Sequence, residues 1–159
     1  LEEAITENTV AFMVEPIQGE SGVVLPDEGY MKEVRRICDE NNVLLIADEI
    51  QSGLGRTGTM FACDHENVKP DMITIGKALS GGMYPISAVV SSEEVLGVFN
   101  PGDHGSTFGG NPIASAVARE SLKVLQEENL FEKSDILLLL KITIKVFLLK
   151  ILKNHLVYT

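Results

Sequence analysis

Two residues of this chain stand where chemistry could be done, Lys77 and Asp48. Lys77 follows the apolar run Met72-Ile73-Thr74-Ile75-Gly76, and Asp48 follows Val43-Leu44-Leu45-Ile46-Ala47. Two buried-type strands would deliver an amine and a carboxylate to their C-terminal ends, which is where open α/β sheets bind ligands. A primary amine condenses with an aldehyde, and a carboxylate holds a cationic ring nitrogen. Those are the protein parts that a pyridoxal phosphate cofactor needs. By spacing alone the pair also reads as a surface lysine and a strand-end acid. Glu49, next to Asp48, is expected to face the opposite way or a helix N-terminus and is assigned no chemistry.

The elements that must position these residues are legible in order. A short buried strand is expected at 10–14, ending at Glu15-Pro16 and followed by the loop Gln18 to Gly22. A helix is predicted over about 28–41, because Tyr30, Met31, Val34, Ile37 and Cys38 recur at three- and four-residue spacing. Strands follow at 43–47, 72–76 and 86–90, with a glycine-rich loop, Gly53 to Gly58, after the first of them. Residues 93–98 suit a short helix, and Pro112 opens a long one to about 128, at a position where proline is tolerated. Strands alternating with helices imply an α/β architecture with a mostly parallel sheet flanked by helices.

The chain of 159 residues is enough for one domain and carries a net charge of -10. Residues 1–130 hold -13 of it, while 131–159 are +3. Such an acidic body is not expected to seek nucleic acid, whose binding depends on phosphate neutralisation by Lys and Arg. Cys38 and Cys63 lack CxxC spacing and read as reduced thiols, which points to an intracellular setting. Residue 1 is Leu, so no targeting segment can be read, and mitochondrial matrix and cytoplasm both remain open.

Residues 131–159 are of another kind. They contain no Gly, Ala or Pro, and Leu137 to Leu140 lead into Ile-, Leu- and Lys-rich sequence. A non-native tail, from intron read-through or a frame change, is the leading expectation. A packed helix, a membrane-surface helix and a lysine-interrupted span are the alternatives.

The segments Glu15-Pro16-Ile17-Gln18-Gly19-Glu20, Ala47-Asp48-Glu49-Ile50-Gln51-Ser52-Gly53, Gly55-Arg56-Thr57-Gly58, Gly76-Lys77-Ala78-Leu79-Ser80-Gly81-Gly82 and His104-Gly105-Ser106-Thr107-Phe108-Gly109-Gly110-Asn111-Pro112 occur in that order. Together they resemble the class III pyridoxal-phosphate-dependent aminotransferases, most nearly the members that act on ornithine. The stretch Ser80 to Val89 is especially similar to those. The resemblance covers about residues 5–130 and implies part of the large domain of fold-type I enzymes. It further implies transfer of the ornithine δ-amino group to a 2-oxo acid, giving glutamate 5-semialdehyde. Acetylornithine- or 4-aminobutyrate-type activity, or a non-catalytic truncated product, are the alternatives.

By that resemblance Lys77 is the Schiff-base lysine and general base, and Asp48 is the partner of the pyridinium nitrogen. Gln51 is implied as donor to the phenolic oxygen. Thr107, assisted by Ser106, is implied as a phosphate ligand reaching the neighbouring subunit's site in a homodimer. Glu15 would lie near the imine, and Glu20 would be the acid that alternates between an arginine and the substrate amine. Without the family, Gln51 reads as a loop amide, Thr107 as a turn residue, and Glu15 and Glu20 as solvated loop acids.

The likeness begins well inside the large domain. The glycine-rich phosphate loop, the stacking aromatic, the substrate-binding arginines and the small domain are therefore expected to be missing. On that reading the 159 residues alone would be poorly active or inactive. Two other motifs fail on context. Gly53-Leu54-Gly55-Arg56-Thr57-Gly58 fits G-x-G-x-x-G, but no helix pattern follows it. His65, His104 and His155 show no metal spacing, and His104 is expected to support the turn before Thr107.

Overall fold

The computed structural model describes residues 1–20 and 22–134, so the expectations for the tail beyond 134 lie outside the described residues. Strands β1 (Ala11–Val14), β2 (Leu44–Asp48), β3 (Met72–Ile75) and β4 (Ala88–Ser91) form one sheet in the order β1-β2-β3-β4. The β1–β2 and β2–β3 pairs are parallel, and β3–β4 is antiparallel. Among the described residues the helices include α1 (Tyr30–Glu40), the short α2 (Glu93–Leu96) and α3 (Pro112–Glu127). This is the α/β arrangement that the alternating pattern predicts.

α1 exists because its apolar residues share one stripe. Met31, Val34, Ile37 and Cys38 are buried, and Met31, Val34 and Cys38 pack with Val43, Leu45 and Ala47 of the next strand region. Tyr30, expected on the same stripe, stays 38% exposed at the helix start. Both cysteines are free and buried in this core. A second cluster joins Leu54, Ile75, Leu79 and Ala118, so α3 packs against the segment that follows β3. α3 starts where proline allows, with Asn111 Oδ1 accepting the Ala114 N–H at 2.9 Å as its N-cap.

An ion pair ties α1 to the sheet. Arg35 reaches Asp71 Oδ2 at 2.7 Å, and the same oxygen accepts the Leu45 N–H at 2.7 Å. Asp71 thereby fixes the entry to β3 beside β2.

The outer strands depart from the sequence reading. β1 was expected to be buried, yet Met13 is 53% exposed and Val10 before it 71%. β4 starts two residues later than expected and leaves Val89 and Val90 about half exposed, at 53% and 49%. Alternation and β-branching mark a strand, but whether its outer side is covered depends on what lies beyond it.

Candidate functional site

β2 and β3 run side by side in the same direction, so their C-terminal ends open at one edge of the sheet. Asp48 is the last residue of β2 and the register partner of Thr74. Its Oδ1 accepts the Thr74 hydroxyl at 3.1 Å and the Ile50 N–H at 3.1 Å. Both bonds end on one oxygen, so the carboxylate is oriented, and among the described residues no hydrogen bond occupies Oδ2. Thr74 was missed as a functional residue, although a lone hydroxyl inside an apolar run was the available signal.

Lys77 follows β3 by two residues and opens the 3-10 segment Lys77–Ser80. Its φ is +42, in the left-handed region that non-glycine residues avoid. The segment is held from both sides. Leu79 N–H bonds to Gly76 O at 2.9 Å, Gly81 N–H bonds to Ala78 O at 2.9 Å, and the Ser121 hydroxyl of α3 reaches Ala78 O at 3.5 Å. Leu79 and Ser80, the last two residues of the segment, are buried. The strain at Lys77 is thus over-determined by its surroundings, a pattern common at functional positions and one that local sequence does not signal.

The loop after β1 closes over this edge. Glu15 Oε2 accepts the Gly19 N–H at 3.1 Å, which curls the loop, and Glu20 follows on its exposed side. Glu20 Oε1 then lies 3.2 Å from Gln51 Nε2 and 4.0 Å from Lys77 Nζ. Three residues from three separate loops therefore meet on one carboxylate oxygen. The Lys77 side chain is 43% exposed and that of Glu20 86%, so the pair is open to solvent and weak as a stabilising contact. Arg56 Nη1 donates to the Gln51 carbonyl at 3.1 Å and anchors its backbone.

Ser106 lines a cleft of about 750 Å³ together with Lys77, Tyr84 and Asn111. Its hydroxyl accepts the Gly109 N–H at 2.9 Å, so it is engaged in its own turn. Thr107 is exposed, as is all of 101–110. Gln51 lines a different hollow of about 570 Å³, with Gly19, Arg56 and His65. His104, expected to brace its turn, has its ring 6.5 Å from that of Phe99.

Glu49 turns inward. It is 1% exposed, and its carboxylate accepts the Ser52 hydroxyl at 2.5 Å and the Cys63 N–H at 2.9 Å. Burial, with this carboxylate beside it, pushes the Cys63 thiol far up from its ordinary value. The glycine-rich loop folds back on itself, with Leu54 N–H on Met60 O and Gly55 N–H on Thr59 O, and leads into the short 3-10 segment Ala62–Glu66. A dinucleotide turn would open a long helix instead. Among the described residues no His, Cys, Asp and Glu group of three could hold a metal ion, and no helix is long and apolar enough to cross a membrane.

Residues 1–144 match the family Aminotransferase class-III. A curated ornithine aminotransferase of Geobacillus sp. (strain WCH70) is 63% identical over 134 residues, 84% of this chain and 34% of the relative. An ornithine aminotransferase structure from Toxoplasma gondii, described as having partial occupancy of PLP at its active site, matches at a TM-score of 0.80. It is 55% identical, over 82% of this chain and 31% of that one. An acetylornithine aminotransferase structure from Elizabethkingia anophelis matches at 0.75 with 57% identity, over 77% and 32% of the two chains. This chain spans about a third of the length of the curated relatives it matches.

Proposed function

This chain belongs to the class-III aminotransferases, and from that premise we propose that it is the central part of an ornithine aminotransferase. The reaction is transfer of the ornithine δ-amino group to a 2-oxo acid such as 2-oxoglutarate, with glutamate 5-semialdehyde as product, in arginine, ornithine and proline metabolism. The observation that carries the proposal is the meeting of Lys77 and Gln51 on Glu20, at the sheet edge where Asp48 ends β2. Relatives named for ornithine at about 60% identity support the choice of amine.

The residues present fit pyridoxal 5'-phosphate. An oriented carboxylate with Oδ2 left over suits a ring N–H, the Gln51 amide presents a donor, and an amine stands beside it. When bound, the cofactor supplies an electron sink for the pair left as the amine-bearing substrate carbon loses its proton. Asp48 would keep a proton on the ring nitrogen, which favours that role. Gln51 Nε2 would donate to the phenolic oxygen. Lys77 Nζ would hold the cofactor through its aldehyde carbon and, once free, would carry the proton from the substrate carbon. Glu15 stands on the substrate side. Glu20 leaves Lys77 and Gln51 to meet the substrate amine, or an arginine when a 2-oxo acid enters, so that one pocket accepts both.

In this reading Thr107, with Ser106 beside it, donates to the cofactor phosphate of the neighbouring subunit in a homodimer. The exposure of 101–110 suits such an outward reach. Residues 1–130 are the central part of the cofactor-binding large domain. Further walls of the site belong to the two thirds of the relatives' length that this chain does not span. Uncovered Met13, Val89 and Val90 agree with such missing neighbours. Two free, buried thiols suit an intracellular compartment, cytoplasm or mitochondrial matrix.

The test is to incubate the protein with pyridoxal phosphate, reduce with borohydride and map the peptides. A pyridoxyl label on Lys77 is expected; label elsewhere, or none, ends the cofactor assignment and leaves the non-catalytic reading. The similarity to an acetylornithine enzyme at 57% identity favours one second reading. Assays of the full-length protein with ornithine, acetylornithine and 4-aminobutyrate separate these, and a preference for either of the latter overturns the choice of ornithine.

A further inference from the structure

We propose that Gly19 is the seat on which Gln51 is oriented, which makes it a positioning residue for the cofactor ring; this rests on Gln51 being the donor to that ring. A Cβ added to Gly19 would lie 2.6 Å from Cδ, Nε2 and Oε1 of Gln51 alike. Equal distances to three atoms of one planar group mean that the amide lies face-on over the bare Cα. A methyl group there cannot coexist with the present position of that amide.

The seat cannot retreat. Gly19 donates its N–H to Glu15 Oε2 at 3.1 Å and accepts the Gly22 N–H on its carbonyl at 3.2 Å. Next to it, Gln18 and Val24 exchange two backbone bonds of 3.1 Å each, which closes the loop into a small hairpin. The side-chain amide is the flexible partner, so it is the part that moves. Its direction is set as well, because Nε2 points to Glu20 Oε1 at 3.2 Å, the oxygen that also faces Lys77 Nζ at 4.0 Å. The donor end of Gln51 is thereby turned toward the amine, and its acceptor end away from that carboxylate oxygen.

Gly19 is also a position where the effect can be isolated. It is not among the positive-φ glycines, so no left-handed backbone stands against alanine there. Gly22, three residues on, has φ +95 and open space around it, the reverse case. Gly19 is needed for what its side chain would displace, not for a turn. The glycine in Glu15-Pro16-Ile17-Gln18-Gly19-Glu20 thus carries information about an amide 32 residues downstream.

The experiment compares wild type, Gly19→Ala, Gln51→Ala and the double variant. Without cofactor, NMR is expected to show an NOE between the Gln51 side-chain amide and the Gly19 Hα, and Gly19→Ala should shift that amide resonance. With pyridoxal phosphate, titrated by absorbance, Gly19→Ala should weaken binding about three- to tenfold, the worth of one displaced hydrogen bond. It should also move the pH at which the bound-cofactor band titrates, which a purely structural defect would not. In the Gln51→Ala background the same substitution should change affinity by less than about twofold, because residues acting through one contact are non-additive. The proposal is overturned by an absent NOE, by Gly19→Ala binding like wild type, or by an equal loss with and without Gln51. If wild type binds no cofactor, the proposed function fails and the NOE alone decides the seat.

Discussion

The Thr74 hydroxyl donates to Asp48 Oδ1 at 3.1 Å, across the β2–β3 pair in which the two residues are register partners. One strand thus holds the carboxylate that ends its neighbour. The bond is part-buried and links two side chains on adjacent strands.

Thr74→Val keeps the shape of the side chain and removes this donor. Pyridoxal phosphate affinity is expected to fall about three- to tenfold, as one hydrogen bond's worth of orientation is lost, while the urea midpoint moves little. Absorbance titration of the variant checks this, and unchanged affinity would show that Asp48 needs no such partner.

Glu49→Ala should be the most damaging change near the site without touching any proposed cofactor contact. It strands the buried Ser52 hydroxyl and Cys63 N–H, which now end on its carboxylate. A loss of about 2–4 kcal/mol is expected. Urea unfolding measures it; a loss below about 0.5 kcal/mol, the ordinary surface value, would contradict the structural role.

Lys77 sits at φ +42, where any Cβ is strained. Lys77→Gly should therefore be more stable than Lys77→Ala by about 1 kcal/mol, although both remove the amine. Equal unfolding free energies for the two variants would mean that this backbone carries no strain.

The Asp71 carboxyl is resisted by burial, but the Leu45 N–H and the Arg35 guanidinium outweigh that and hold it below its ordinary value. A carboxyl lowered in the folded state contributes stability above its unfolded value, about 3.9, and loses it as pH falls through the lower folded value. Acid titration of stability should be shallower below about pH 4 in Asp71→Asn than in wild type. Parallel profiles in urea midpoint would remove Asp71 from the acid limb.

Much of the fold was legible because side-chain period reports local geometry. Met31, Val34, Ile37 and Cys38 recur at helical spacing, and the apolar runs that end at Asp48 and before Lys77 have the length of strands. Parallel strands then carry both residues to one edge whatever the loops do, so the amine and the acid were readable before any coordinates.

Contacts between loops were not legible, since no periodicity links Gly19 to Gln51, Glu20 to Lys77, or Glu49 to the Cys63 N–H. Each depends on two separate turns closing to within a few ångströms after the sheet has set their starting points. The left-handed backbone at Lys77 belongs to the same class, imposed by α3 and the buried Leu79 rather than preferred by lysine. Sequence by itself determined which residues arrive at the sheet edge; tertiary structure alone decided which way they face, because orientation is set by hydrogen bonds and close packing among segments far apart in the chain.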